Sequence, residues 1–83
     1  MTYYLVVFSS RSETMKFANL LSSYGFTAAF VSTPRQISVA CGISAKINQA
    51  SLFAAQEILN RRQFYTFSGI YYSYNNEYIK LKF

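Results

Sequence analysis

The chain has 83 residues, with eight Lys plus Arg set against three acidic residues, no His and a formal net charge of +5. That length allows one domain, residues 1–83, with no room for a second core. With Cys41 as the only cysteine and Glu13, Glu57 and Glu77 as the only carboxylates, it excludes an intrachain disulfide, a zinc site within one subunit, and Cys-His hydrolysis. Stability must then come from apolar burial, for which 52% hydrophobic and 19% aromatic residues supply the material.

Tyr3 to Phe8 is β-branched and aromatic and ends at Ser9-Ser10, so it reads as a buried strand. Ser10-Arg11-Ser12-Glu13 has the spacing of a capping box, in which Ser10 accepts from the third helical amide and Glu13 reaches back to the Ser10 amide. Met15, Ala18 and Leu21, with Phe17, Leu20 and Tyr24, then recur at helical spacing, and Gly25 supplies a left-handed stop. Phe26 to Ser32 reads as a second strand whose apolar content suggests a central position, closed by Thr33-Pro34.

Residues 33 to 42 carry no strong periodicity and read as a loop. Ile43 to Asn48 alternates, with Ile43, Ala45 and Ile47 on one face and Ser44 and Lys46 on the other. A second helix is expected from about Ser51 to Arg62, with Ala54, Ala55, Ile58 and Leu59 inward and a Glu57–Arg61 pair outside. Thr66 to Tyr74 reads as a strand with a bulge at Ser68-Gly69. Asn75-Asn76 suits a tight turn, and Glu77 to Phe83 alternates again. The order predicts an α+β, ferredoxin-like βαββαβ antiparallel sheet with two helices on one face and a C-terminal β-hairpin extension.

The start of the chain has no basic leader, and its longest apolar run, Tyr3 to Phe8, is too short to span a bilayer. A lone thiol suits a reducing compartment. A cytoplasmic location without membrane attachment is therefore expected. The basic residues Arg11, Lys16, Arg35, Lys46, Arg61, Arg62, Lys80 and Lys82 are scattered, and only Arg61-Arg62 are adjacent. Nucleic-acid binding is unlikely on that pattern.

The chemistry concentrates in Thr33-Pro34-Arg35-Gln36-Ile37-Ser38-Val39-Ala40-Cys41-Gly42-Ile43-Ser44. Gly42 lets a backbone amide approach whatever sits on the Cys41 sulfur. Arg35 offers a fixed charge and a fork of donors, and Ser38 and Ser44 add hydroxyls. Such surroundings lower a thiol pKa from about 8.5 and stabilise thiolate or persulfide anions. A free cysteine is usually a small buried hydrophobe, and the plain readings of the others are a solvated charge for Arg35 and turn residues for Pro34 and Gly42. The tyrosines at 65, 71, 72, 74 and 78 fit core and sheet surface.

The run T-P-R-x-I-S-x-x-C-G-I-S, preceded by V-F-S-S and an amphipathic helix, resembles the selenium/sulfur carrier protein-like family of small bacterial domains over roughly residues 3 to 72. The resemblance implies that Cys41 is the carrier thiol and that Thr33, Pro34, Arg35, Ser38 and Gly42 shape its loop. It implies sulfur or selenium donor and acceptor proteins as partners, no cofactor and no metal, and a carrier rather than a true catalyst. The tail Glu77 to Phe83 is less typical of the family, and the C-P-x-P motif of sulfur-relay proteins is missing. Two other functions fit the residues: an interaction module with an inert cysteine, forming a homodimer through the C-terminal strands, and an RRM-like RNA-binding domain.

Overall fold

A computed structural model describes residues 2–37 and 42–81. Its elements run β1 (Tyr3–Phe8), α1 (Arg11–Ser23), β2 (Ala29–Ser32), β3 (Ile43–Ile47), α2 (Gln49–Arg61), β4 (Phe67–Tyr74) and β5 (Glu77–Lys80). The five strands form one antiparallel sheet in the order β2-β3-β1-β4-β5. β3 lies between β1 and β2, and β1 between β3 and β4, with β5 added at the edge beyond β4.

Alternation decides what the helices cover. Tyr4, Val6 and Phe8 share one face with Ala45 and Ile47 of β3 and Ile70 of β4. These six close a core with Phe17 and Leu21 of α1 and Ala54, Ala55 and Ile58 of α2. Both helices therefore lie on the same face. Full burial of each large apolar side chain contributes about 1.5–3 kcal/mol. Phe8 anchors the end of β1, its ring centroid 5.6 Å from Phe17, 5.1 Å from Phe64 and 5.7 Å from Phe67.

On the other face Leu5 and Val7 are buried in the same cross-strand rows as Lys46, Tyr71, Gly69 and Lys80. The Lys46 ammonium lies 4.4 Å from the Tyr3 ring centroid. The Tyr3 and Tyr78 hydroxyls are 3.2 Å apart. That bond lowers the Tyr3 pKa and raises that of Tyr78, the pattern expected when Tyr78 donates to the Tyr3 oxygen.

Several local expectations hold. Gly25 (φ 89°) ends α1, and Asn75 (φ 51°) and Asn76 (φ 63°) form the tight turn. The bulge falls where expected, with Val7 opposite Gly69 but Phe8 opposite Phe67. Glu57 and Arg61 pair at 3.0 Å.

Others need correction. β2 is an edge strand, not a central one, and it covers only Ala29–Ser32. The apolar residues before it serve the core as a connector: Phe26 and Ala28 pack against the cluster, and the Phe26 amide still donates to the Leu21 carbonyl at 3.2 Å. α2 starts at Gln49 because Asn48 caps it, its Oδ1 accepting from the Ser51 amide at 3.1 Å and the Ser51 hydroxyl at 3.0 Å. The outer α1 positions Met15 and Tyr24 are exposed, and Thr14 is buried instead. In β5, Ile79 is half-exposed because no helix covers that edge. The expected continuation into Lys82 and Phe83 lies outside the described residues.

The capping box forms by half. The Ser10 hydroxyl accepts from the Glu13 amide at 3.4 Å, but the Glu13 carboxylate does not turn back to Ser10. It accepts from the Tyr65 amide at 2.9 Å, the Thr66 amide at 2.7 Å and the Thr66 hydroxyl. Three converging donors outcompete one local amide.

Candidate functional site

The loop from Thr33 to Gly42 leaves the sheet at the end where β1 finishes. Ser32 pairs with Ile43, and the ladder gains one more bond, from the Thr33 amide to the Gly42 carbonyl at 3.2 Å. Below it the Thr33 and Ser44 hydroxyls meet at 2.6 Å. Ser44 is fully buried, so this bond satisfies a group whose desolvation would otherwise count against the fold. No buried side-chain polar atom lacks a partner among the described residues. Thr33, Gly42 and Ser44 thus form the closed base of the loop.

Past the base, the Ile37 amide donates to the Pro34 carbonyl at 3.0 Å. Pro34 is the first residue of this turn, and the two central residues, Arg35 and Gln36, form its exposed tip. Arg35 is held out from the sheet with its charge in solvent. Ser38 and Cys41, the candidate hydroxyl and the candidate thiol, lie outside the described residues.

Two readings of the flanking residues are sharpened. A Cβ built on Gly42 would meet nothing within 4 Å among the described atoms, and its φ is not in the left-handed region. Glycine at 42 is therefore not forced by backbone conformation or by those neighbours. Ser44, expected as a hydroxyl for the thiol, is instead buried beneath Thr33 and holds the loop base.

Two of the glutamates are engaged away from this loop, Glu57 with Arg61 and Glu13 with Tyr65 and Thr66. Glu13 ties α1 to the segment after α2, and these bonds, the Thr66 hydroxyl first and the Tyr65 amide next, hold its pKa below the ordinary value of 4.5. Sequence reasoning missed this link because it joins residues 52 and 53 positions apart, and no local pattern announces it. Asn48, read from the sequence as the end of a strand, is the cap of α2. The Thr33–Ser44 pair follows only once the register of β2 and β3 is known.

Among the described residues no three His, Cys, Asp or Glu side chains gather as a metal site, and no helix is long and apolar enough to cross a membrane. No curated protein and no solved structure matches the chain. A sequence profile of the family described as "Putative Se/S carrier protein-like" matches residues 3–72, from the first strand through the loop and both helices into β4. The chain belongs to that family.

Proposed function

We propose that this protein is a carrier that holds sulfur or selenium on Cys41 between a donor and an acceptor protein. The observation that carries this reading is the family match across residues 3–72, which spans the whole loop bearing the chain's single cysteine. The transfer needs no acid–base dyad. The Cys41 thiolate attacks the outer sulfur or selenium atom of a persulfide-type group on the donor. The donor's own thiolate leaves, and the outer atom is now bound to Cys41 as a persulfide or its selenium equivalent. An acceptor thiolate then attacks that atom, and the Cys41 thiolate leaves. No external oxidant or reductant is consumed.

The surroundings fit such a carrier. The loop has a hydrogen-bonded base, Arg35 adds a positive charge at its exposed turn, and Gly42 adds an unobstructed backbone. We read the four strands β2-β3-β1-β4 as a ferredoxin-like sheet with β5 as an appended edge, and the protein as a cytoplasmic carrier rather than an enzyme. The reading is tested by alkylation: Cys41 reacts with iodoacetamide in the folded protein. Resistance until unfolding would make it a buried structural residue and remove the basis for carriage.

A second reading has one observation in its favour. β5 is an open edge, with Ile79 and Tyr74 exposed at 49% and 54%, so a second copy could extend the sheet there. A molecular mass of one chain at micromolar concentration would exclude it. Nucleic-acid binding is not part of the proposal, since the described basic residues occupy both helices, a loop and two strands.

A further inference from the structure

Between the first turns of α1 and the β2–β3 edge lies a groove of about 300 Å³ lined by Arg11, Met15, Phe30 and Ile43. Its position follows from the topology. Phe30 pairs with Ala45, whose own partner is Val6, so its ring is on the helix face of the sheet. There β2 is the edge strand, and Phe30 stays 49% exposed. Met15, one turn into α1, is 48% exposed. Two large apolar side chains thus face one concavity and remain half in solvent, and Ile43 of β3 completes the wall.

The lip carries the opposite chemistry. Arg11 is the first residue of α1 and, among the described residues, the one charged side chain in the lining. All three glutamates are engaged or distant: Glu13 on Tyr65 and Thr66, Glu57 on Arg61, and Glu77 on β5 at the far edge of the sheet. Among the described residues no carboxylate pairs with the Arg11 guanidinium. An apolar wall with one charged donor is the usual make-up of a small-molecule site, and this volume is at the small end of such sites. A guanidinium selects planar oxyanions over neutral groups because it binds them in a two-pronged fashion.

We propose that this groove binds a small organic carboxylate, with the apolar body against Met15, Phe30 and Ile43 and the carboxylate on Arg11. Ile43 directly follows Gly42, so a ligand seated there borders the Cys41 loop without needing Cys41 for its contacts. The inference goes beyond sulfur or selenium carriage and stands without it.

The test is a titration of the full chain with 4-phenylbutyrate, and separately with the uncharged 4-phenylbutyramide, followed by amide shifts in two-dimensional NMR. The expected result is saturable binding of the carboxylate, with the largest shifts at Met15, Phe30 and Ile43, and markedly weaker binding of the amide. Arg11→Gln should weaken carboxylate binding about tenfold and leave the amide unaffected, the loss of one charge-assisted pair. Met15→Gln, at an exposed helix position that does not threaten folding, should weaken both ligands. Cys41→Ser should bind as the parent does, which separates this site from the carrier reading. Equal affinity for acid and amide, shifts mapping elsewhere, no saturation by about 10 mM, or loss of binding in Cys41→Ser would each overturn the proposal.

Discussion

Two closures near the end where β1 finishes use hydrogen bonds in opposite ways. At one, a single carboxylate, Glu13, gathers two amides and a hydroxyl from Tyr65 and Thr66, and the Ser9 amide donates to the Thr66 carbonyl at 2.8 Å beside it. At the other, among the described residues, a backbone bond from Thr33 to Gly42 and a pair of hydroxyls, Thr33 and Ser44, close the base of a ten-residue loop. The first is charge-assisted and fixes a helix to the segment after α2. The second is neutral and leaves Arg35 exposed. No glutamate is among the described residues that close the loop base.

The sharpest way to break this contrast is Glu13→Gln, which keeps the shape but replaces one acceptor oxygen by a donor facing other donors. The melting temperature should fall by several degrees, while Cys41 alkylation stays as in the parent. The sign of the pH effect is fixed by the lowered pKa of Glu13. Its stabilisation is fully present above 4.5, the ordinary value, and is lost as the pH falls through the lower folded value. The parent should therefore show an acid limb below pH 4.5 that is smaller in Glu13→Gln; superimposable acid unfolding curves would contradict the assignment.

Ser44→Ala comes next. It leaves the hydroxyl of the half-buried Thr33 without its partner, for a loss of about 0.5–1.5 kcal/mol, the net worth of one hydrogen bond, measured by urea unfolding. If Thr33→Val combined with Ser44→Ala recovers much of that loss, the unpaired hydroxyl is the cause. A double variant no better than the single one would point to packing instead.

Arg35→Ala should leave stability within about 0.5 kcal/mol, as at any exposed turn, yet slow Cys41 alkylation at neutral pH. A pH–rate profile unchanged from the parent would assign the local positive potential to backbone amides. Gly42→Ala is the mildest change. The open space around its Cβ predicts stability again within about 0.5 kcal/mol of the parent, and any defect should appear in transfer between proteins, where a partner must approach.

Much of this fold was legible because the signals were local. The alternation of Ile43, Ala45 and Ile47, the Gly25 stop, the Asn75-Asn76 turn and the Glu57–Arg61 pair each depend on residues a few positions apart. The failures have the complementary cause. Phe26 to Ser32 is apolar enough to read as a central strand, yet its first residues are a connector and Phe30 is half-exposed at the edge; residue type does not reveal which sheet neighbour is missing. Glu13 sits at capping-box spacing, but its partners come from a distant segment. At the loop, Thr33, Pro34, Arg35 and Gly42 were picked out by residue type and by family resemblance. The burial of Ser44, in contrast, needed the register of two strands.

The central claim is that Cys41 carries sulfur or selenium, and intact mass spectrometry tests it most directly. After incubation with a persulfide donor and removal of excess reagent, the folded protein should gain the mass of one sulfur atom. The gain should be erased by reductant and absent in Cys41→Ser. A mass that stays unchanged while Cys41 remains open to iodoacetamide would contradict carriage by this thiol.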